Sequence, residues 1–320
     1  MAATKPFAPK PCNMRPIDPV TPGDDRPAIC DLLSKHQEAV QAIQASIQSN
    51  PLYNPKLHDE LWMLRFWLSH NKNSSSKTRA KAVQNAVDAA VETLEFRKKH
   101  KLDEADIRRS MWPEWVEDDG PNGEVLMKPS IYNKLAEFND KYTYLHCQLH
   151  PDRGLIGFAR IAGTRPPEKM ANYPEEEETK MFLTWSEWRF QVLDEVTRRT
   201  GRLTKHAIFI DCEGIGWKHM DRKASAREAK LMSLTQNVYP QVNGGFFLLK
   251  MPTFMQYFIR LVRPLYPKRL LEKMDVIITE SDVNRIYPRF ADINTIPKCF
   301  RGTHPSWPPP DNGSRFAEEH

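Results

Sequence analysis

The chain has 320 residues, enough for one large or two modest domains with a substantial core. Its formal net charge of +5 is too small to argue for a nucleic-acid partner, and its five scattered cysteines form no CxxC pair, which points to a reduced, cytoplasmic setting rather than a disulfide framework. No apolar run approaches the roughly 20 residues that a membrane helix needs, so any contact with a bilayer is expected to be peripheral.

The first 30 residues are rich in proline and charge and read as a disordered leader. From 31 to 110 the pattern is helical. Asp31 is placed to cap a helix carrying Leu32, Leu33, Val40, Ile43 and Ile47, ending before Asn50-Pro51. Leu61, Trp62, Leu64, Phe66, Trp67 and Leu68 crowd a second, short helix that stops in the polar run from Asn71 to Ser76. Ser75 or Ser76 then caps a third helix to Lys99, whose expected apolar side holds Val83, Val87, Val91, Leu94 and Phe96.

A turn cluster at 118–124 opens the larger domain, expected over 111–302. Pro174 and the acidic run Glu175 to Glu178 start a long helix that Arg198, Arg199 and Gly201 end, in keeping with the helix dipole. The stretch from Lys205 to Val276 then gives strand, helix, strand, helix, strand: a buried run closing in Asp211-Cys212-Glu213-Gly214, a helical segment stopped by Tyr239-Pro240, and a second buried run at 246–249. Pro252 opens a nearly apolar helix, and a third β-like run lies at 276–279. This is the pattern of a mostly parallel α/β sheet with helices on its faces. The segment 303–320 reads as a proline-rich tail.

These residues, in this order and spacing, resemble the CRAL-TRIO (Sec14-like) family. The pieces that carry the resemblance are the strand ending in Asp211-Cys-Glu-Gly214, Tyr239-Pro240, the strand before Pro252, Arg263-Pro264, and the closing run Ile296-Pro-Lys-Cys-Phe-Arg-Gly302. In the helical lobe, Leu64-Arg65-Phe66 and Glu95-Phe96-Arg97-Lys98 match in kind. The resemblance implies a lipid in an apolar cavity beneath a gate helix, passed to or from membranes with no reaction catalysed. It implies a bound lipid in place of a cofactor, an anionic membrane surface and no nucleic acid as partners, and a monomer.

On that basis the lipid-binding residues are expected to be Phe158, His206, Ile208, Ile210, Cys212, Gln241, Phe254, Tyr257, Phe258, Leu261 and Lys273. Alternation along the strand places His206, Ile208, Ile210 and Cys212 on one side. The helix from Thr253 to Leu265 fits either a core helix or a gate; basic residues around it (Lys250, Arg260, Arg263, Lys268, Arg269, Lys273) favour a gate that meets an anionic bilayer. Lys273 matches the family's headgroup lysine. Gln241, Val242, Leu270, His70 and Asn71 stand where phosphatidylinositol exchangers of the family carry polar contacts, which makes phosphatidylinositol a poor expectation.

Two other readings stay open. One is a lipid sensor of the same fold that regulates a partner without net transport. The other is an enzyme built on Cys212, Cys299 or the His146-Cys147-His150 cluster, whose ligand-type residues sit at helical spacing but lack a fourth donor for zinc.

Overall fold

The computed structural model describes residues 5–71, 76–108, 115–119, 125–127, 130–134, 145–150, 152–160, 174–217, 221–266 and 268–305. The N-terminal lobe is three helices: α1 (Ile29–Ile47), α2 (Glu60–His70) and α3 (Ser76–Lys99). Helix α1 starts two residues before Asp31, after Ala28, without a side-chain cap; Asp31 sits in the first turn, where a carboxylate complements the dipole. Asp59 does cap α2, accepting from the Trp62 amide at 3.1 Å. The buried face of α3 is Ala82, Ala86, Ala89, Ala90 and Leu94, while Val83, Val87, Val91 and Phe96 are only partly buried. Small side chains let α3 lie close to its neighbours, and the valines flank that seam. Ser75 lies outside the described residues.

The larger domain carries a two-stranded sheet, β1 (Trp115–Asp119) with β2 (Val125–Met127), and a six-stranded sheet in the order β3-β4-β5-β6-β7-β8. Strands β3 (Ser130–Lys134), β4 (Leu145–His150) and β5 (Gly154–Arg160) pair antiparallel; β5, β6 (His206–Asp211), β7 (Asn243–Leu249) and β8 (Met274–Ile277) pair in parallel. The helices are α4 (Glu175–Thr200), α5 (Arg222–Thr235), α6 (Thr253–Val262), α7 (Lys268–Leu271) and α8 (Glu280–Ile286). The turn into β5 needs Gly154, whose φ is +90°. Gly302 has a different constraint: a Cβ there would lie 1.9 Å from the Ile296 carbonyl oxygen.

The expected disordered leader instead follows a defined path from residue 5. The Asn13 and Ile17 amides donate to the Arg198 and Thr200 carbonyls at 2.7 and 2.9 Å, groups that a helix end leaves unsatisfied. Phe7 is buried beneath the Arg108 guanidinium. Asp24, though its burial opposes ionisation, is held below the usual carboxylate range by hydrogen bonds from Arg26 and the charge of Arg153. Prolines reduce the entropy that ordering this segment must overcome. The tail from 306 lies outside the described residues.

Helix α4 joins the two lobes. Arg65 of α2 meets Asp194 and Thr197, Arg97 of α3 makes paired bonds of 2.9 and 3.0 Å to Glu187, and Arg198 reaches both Asp194 and Asp59. The acidic first turn of α4 does more than complement its dipole: Glu175 and Glu178 pair with Lys230 and Arg227 of α5.

Candidate functional site at the helix-covered face of the sheet

The sheet has two unlike faces, and alternation along β6 separates them. Ala207 and Phe209 are completely buried, packed with Ile156, Phe158, Phe247, Leu249 and the C-terminal Tyr287 and Phe300. Their neighbours Ile208 and Ile210 point the other way and are only half-buried, although β6 has a hydrogen-bonded strand on each side. In register, Ile208 lies between Gly157 and Phe246, and Ile210 between Ala159 and Leu248. A glycine and an alanine thus stand beside the two isoleucines, the small residues lying along β5. Met232 of α5, Phe254 and Ile259 of α6, and Met274 and Val276 of β8 are also partly buried. Among the described residues this face therefore carries a run of apolar side chains that are only partly buried.

Cys212 continues the face, packed with Ile215, Leu248 and Met255. Burial, with Asp211 adding to it, pushes its thiol up to about 12, so it stays protonated and is a poor nucleophile at neutral pH. Cys147 is completely buried on β4 facing Gly157, and its thiol is raised further by burial. That stretch is a strand, so His146 and Cys147 alternate across the sheet and the helical spacing has no structural counterpart; the His146 side chain lies outside the described residues. Among the described residues no group of three metal-ligating side chains occurs.

His206 begins the same face at the opposite end of β6. It is 1% exposed, edge-on to Trp185 with centroids 5.9 Å apart, and its Nδ1 lies 3.3 Å from Arg189 Nη1. Arg189 projects from α4, donates to Asn243 Oδ1 at 2.9 Å and lies over the Trp185 ring. Lys273 ends nearby, its Nζ donating to the Asn243 carbonyl at 2.6 Å. Arg189 gives no signal in the sequence beyond its place in a helix; only the fold sets it against β6.

Two expected site residues lie away from this face, and two more, Tyr257 and Leu261, are exposed on the outside of α6. Phe158 is on the opposite face, packed against Phe209 and Phe300 with centroids 5.9 and 5.1 Å away, because its register with Phe209 fixes its side. Gln241 sits at φ +62° in the turn before β7, where its amide donates to Ser69 Oγ of α2 at 3.1 Å; it joins the two lobes and does not line the face.

Helix α6 lies across the far end. Met255 is buried beneath it, while Tyr257 is 66% and Leu261 58% exposed; Arg260 lies 5.9 Å over the Tyr257 ring. Phe254 stacks on Trp217, itself 72% exposed, at 4.8 Å. The side chains of Phe258, Arg263, Arg269 and Leu270 lie outside the described residues. Lys250, expected in the basic ring, is instead paired with Glu213 and lies 3.6 Å from Asp211. Two hollows of about 820 and 750 Å³ are lined by none of these residues, one beneath the leader at Pro6–Pro11 and one between residues 100–107 and α4, both bordered by lysine and glutamate.

Residues 156–302 match the family model described as the CRAL/TRIO domain. No curated protein matches the chain. Among solved structures it is similar to one described as the crystal structure of Sfh5, with a TM-score of 0.44 and 10% sequence identity, over 82% of this chain and 84% of that chain.

Proposed function

We propose, from the match of residues 156–302 to the CRAL/TRIO domain, that the chain takes one lipid into the space between the Ile208–Ile210 face and helices α5 and α6, and carries it between membranes. The observation that supports this reading is the half-burial of Ile208 and Ile210 on a central strand whose alternate residues are fully buried. A core strand packed on both sides has no reason for that asymmetry. Moving an acyl chain from a bilayer to such a face replaces one apolar setting by another, so the transfer is nearly neutral. Without cover each exposed CH₂ costs about 0.8 kcal/mol. Helix α6, with Met255 turned inward and Tyr257 and Leu261 outward, supplies that cover and a surface for docking on the bilayer. Nothing in this scheme needs a catalysed reaction.

Mass spectrometry of an organic extract of the natively purified protein, followed by transfer of that lipid between donor and acceptor vesicles, tests the reading. Stoichiometric lipid with protein-dependent transfer is expected. Binding without transfer points to a sensor, and an extract without lipid, together with failure to load any, overturns the cavity.

A further inference from the structure

The described structure buries seven arginines: Arg26, Arg65, Arg97, Arg108, Arg153, Arg189 and Arg198. Six of them meet a carboxylate: Arg26 and Arg153 share Asp24, Arg65 and Arg198 share Asp194, Arg97 takes Glu187, and Arg108 takes Glu195. Arg189 has no such partner among the described residues, although it is only 7% exposed. Its contacts are the Asn243 amide oxygen, the His206 ring and the Trp185 face, all neutral, and its Nε has no hydrogen-bond partner. An uncompensated charge held away from water is strongly unfavourable, and a chain that pairs its other buried guanidinium groups leaves this one open at the face assigned to the lipid.

His206 adds a second open donor. Its Nδ1 faces a guanidinium N–H, which can only donate, so Nδ1 accepts and the ring proton sits on Nε2. That Nε2–H is buried and has no acceptor among the described residues. Burial, reinforced by Arg189, pulls the His206 pKa well below its usual value, so the ring is neutral. Burial likewise lowers the Arg189 pKa to about 10, which leaves it charged at neutral pH. The site thus presents the Arg189 charge and two N–H donors, with Lys273 close by on the Asn243 carbonyl and no carboxylate among the described residues to receive them.

Resting on the cavity reading above, we infer that the ligand is a single-chain amphiphile with a carboxylate head, seated at the Arg189–His206–Asn243 end of the sheet with its chain along Ile208 and Ile210. A carboxylate supplies two acceptor oxygens and one negative charge, and its planar pair of oxygens matches the guanidinium fork. It also brings no other polar atoms, whereas a phosphodiester head would bring further polar groups that need partners.

The test compares three ligands sharing one C18 chain, oleate, oleyl alcohol and oleyl phosphate, on the delipidated full-length chain. Oleate is expected to bind at least tenfold more tightly than the alcohol and more tightly than the phosphate. Arg189→Met is expected to erase the oleate–alcohol difference and to raise the melting temperature of the ligand-free protein, because it removes an unpaired buried charge; a residue with a merely structural role would lower it. Arg189→Lys, which keeps the charge without the fork, is expected to fall between. Should Arg189→Met fail to fold, ¹³C-carboxyl oleate on the wild-type protein gives the answer, since a carboxylate paired with Arg189 stays ionised to lower pH than one in a plain apolar cavity. Equal affinity for oleate and alcohol, preference for the phosphate, or a difference that survives in Arg189→Met overturns the carboxylate head while leaving the cavity in place. Failure of all three to bind, with no lipid in the native extract, removes the cavity itself.

Discussion

If α6 docks on a bilayer, replacing Tyr257 and Leu261 together by serine should weaken that docking without destabilising the fold. Full burial of a leucine side chain is worth about 2 kcal/mol, so the 58% of Leu261 that faces solvent offers about 1.2 kcal/mol to a membrane. An aromatic ring buries about 200 Å², and at 66% exposure Tyr257 offers about 3 kcal/mol, of which roughly half remains if its hydroxyl stays among the headgroups. Together the two supply about 2.7 kcal/mol, close to a hundredfold in the vesicle partition coefficient. Sedimentation with sucrose-loaded vesicles, neutral and anionic, measures it. Both side chains are exposed in the ligand-free fold, so the melting temperature should stay within the small range expected of surface substitutions. A core helix gives the opposite pattern. Unchanged partitioning, or a loss of stability of several kcal/mol, would refute the docking role of α6.

Three further outcomes follow from the same geometry. Backbone amides of 253–262 should exchange more slowly when lipid is loaded, and rates indifferent to lipid would count α6 as ordinary core. Phe158→Ala should cost about 3–5 kcal/mol in denaturant unfolding while leaving ligand selection untouched, since Phe158 lies in the opposite core; a changed ligand profile would return it to the site. His58 is 2% exposed and its pKa is lowered to about 4, by burial first; below pH 6.5 the unfolded chain takes a proton that folded His58 refuses, so stability should fall by roughly 3 kcal/mol between pH 6.5 and 4, a slope that His58→Gln should flatten.

The parallel half of the sheet was legible because its strands are short apolar runs with turn residues between them: β6 and β7 cover the runs expected for them, while β8 lies two residues earlier than the expected 276–279. Strand β4 was not. Leu145, Cys147 and Leu149 alternate with polar residues, the ordinary sign of a half-buried strand, but two histidines four apart suggested helical spacing and a ligand set. Alternation placed His206, Ile208, Ile210 and Cys212 on one face correctly. It could not place Phe158, because the side on which a strand presents its residues depends on its register with its neighbour, and Phe158 pairs with Phe209. Gln241 was out of reach for a related reason: its partner, Ser69, lies 172 residues away in another lobe.

The leader shows a limit of composition as evidence. Low apolar content argues against a core of its own, yet residues 5–28 need none, because α4 offers them unsatisfied carbonyls at its end and the domain offers Arg153 and Pro288. The same helix organises the rest of the chemistry. Its outward side receives arginines from α2 and α3 on Asp194 and Glu187, and those acids are matched in place. Its inward side carries Arg189 towards His206 and Asn243, where no carboxylate among the described residues meets it. One helix with compensated charge on the lobe side and uncompensated charge on the sheet side is hard to explain by stability alone, since a leucine or methionine at 189 would pack against Trp185 at lower cost. The asymmetry makes sense if the missing charge arrives with the ligand. In that case the ligand-free protein is the strained state, and loading stabilises the contact between α4 and the sheet.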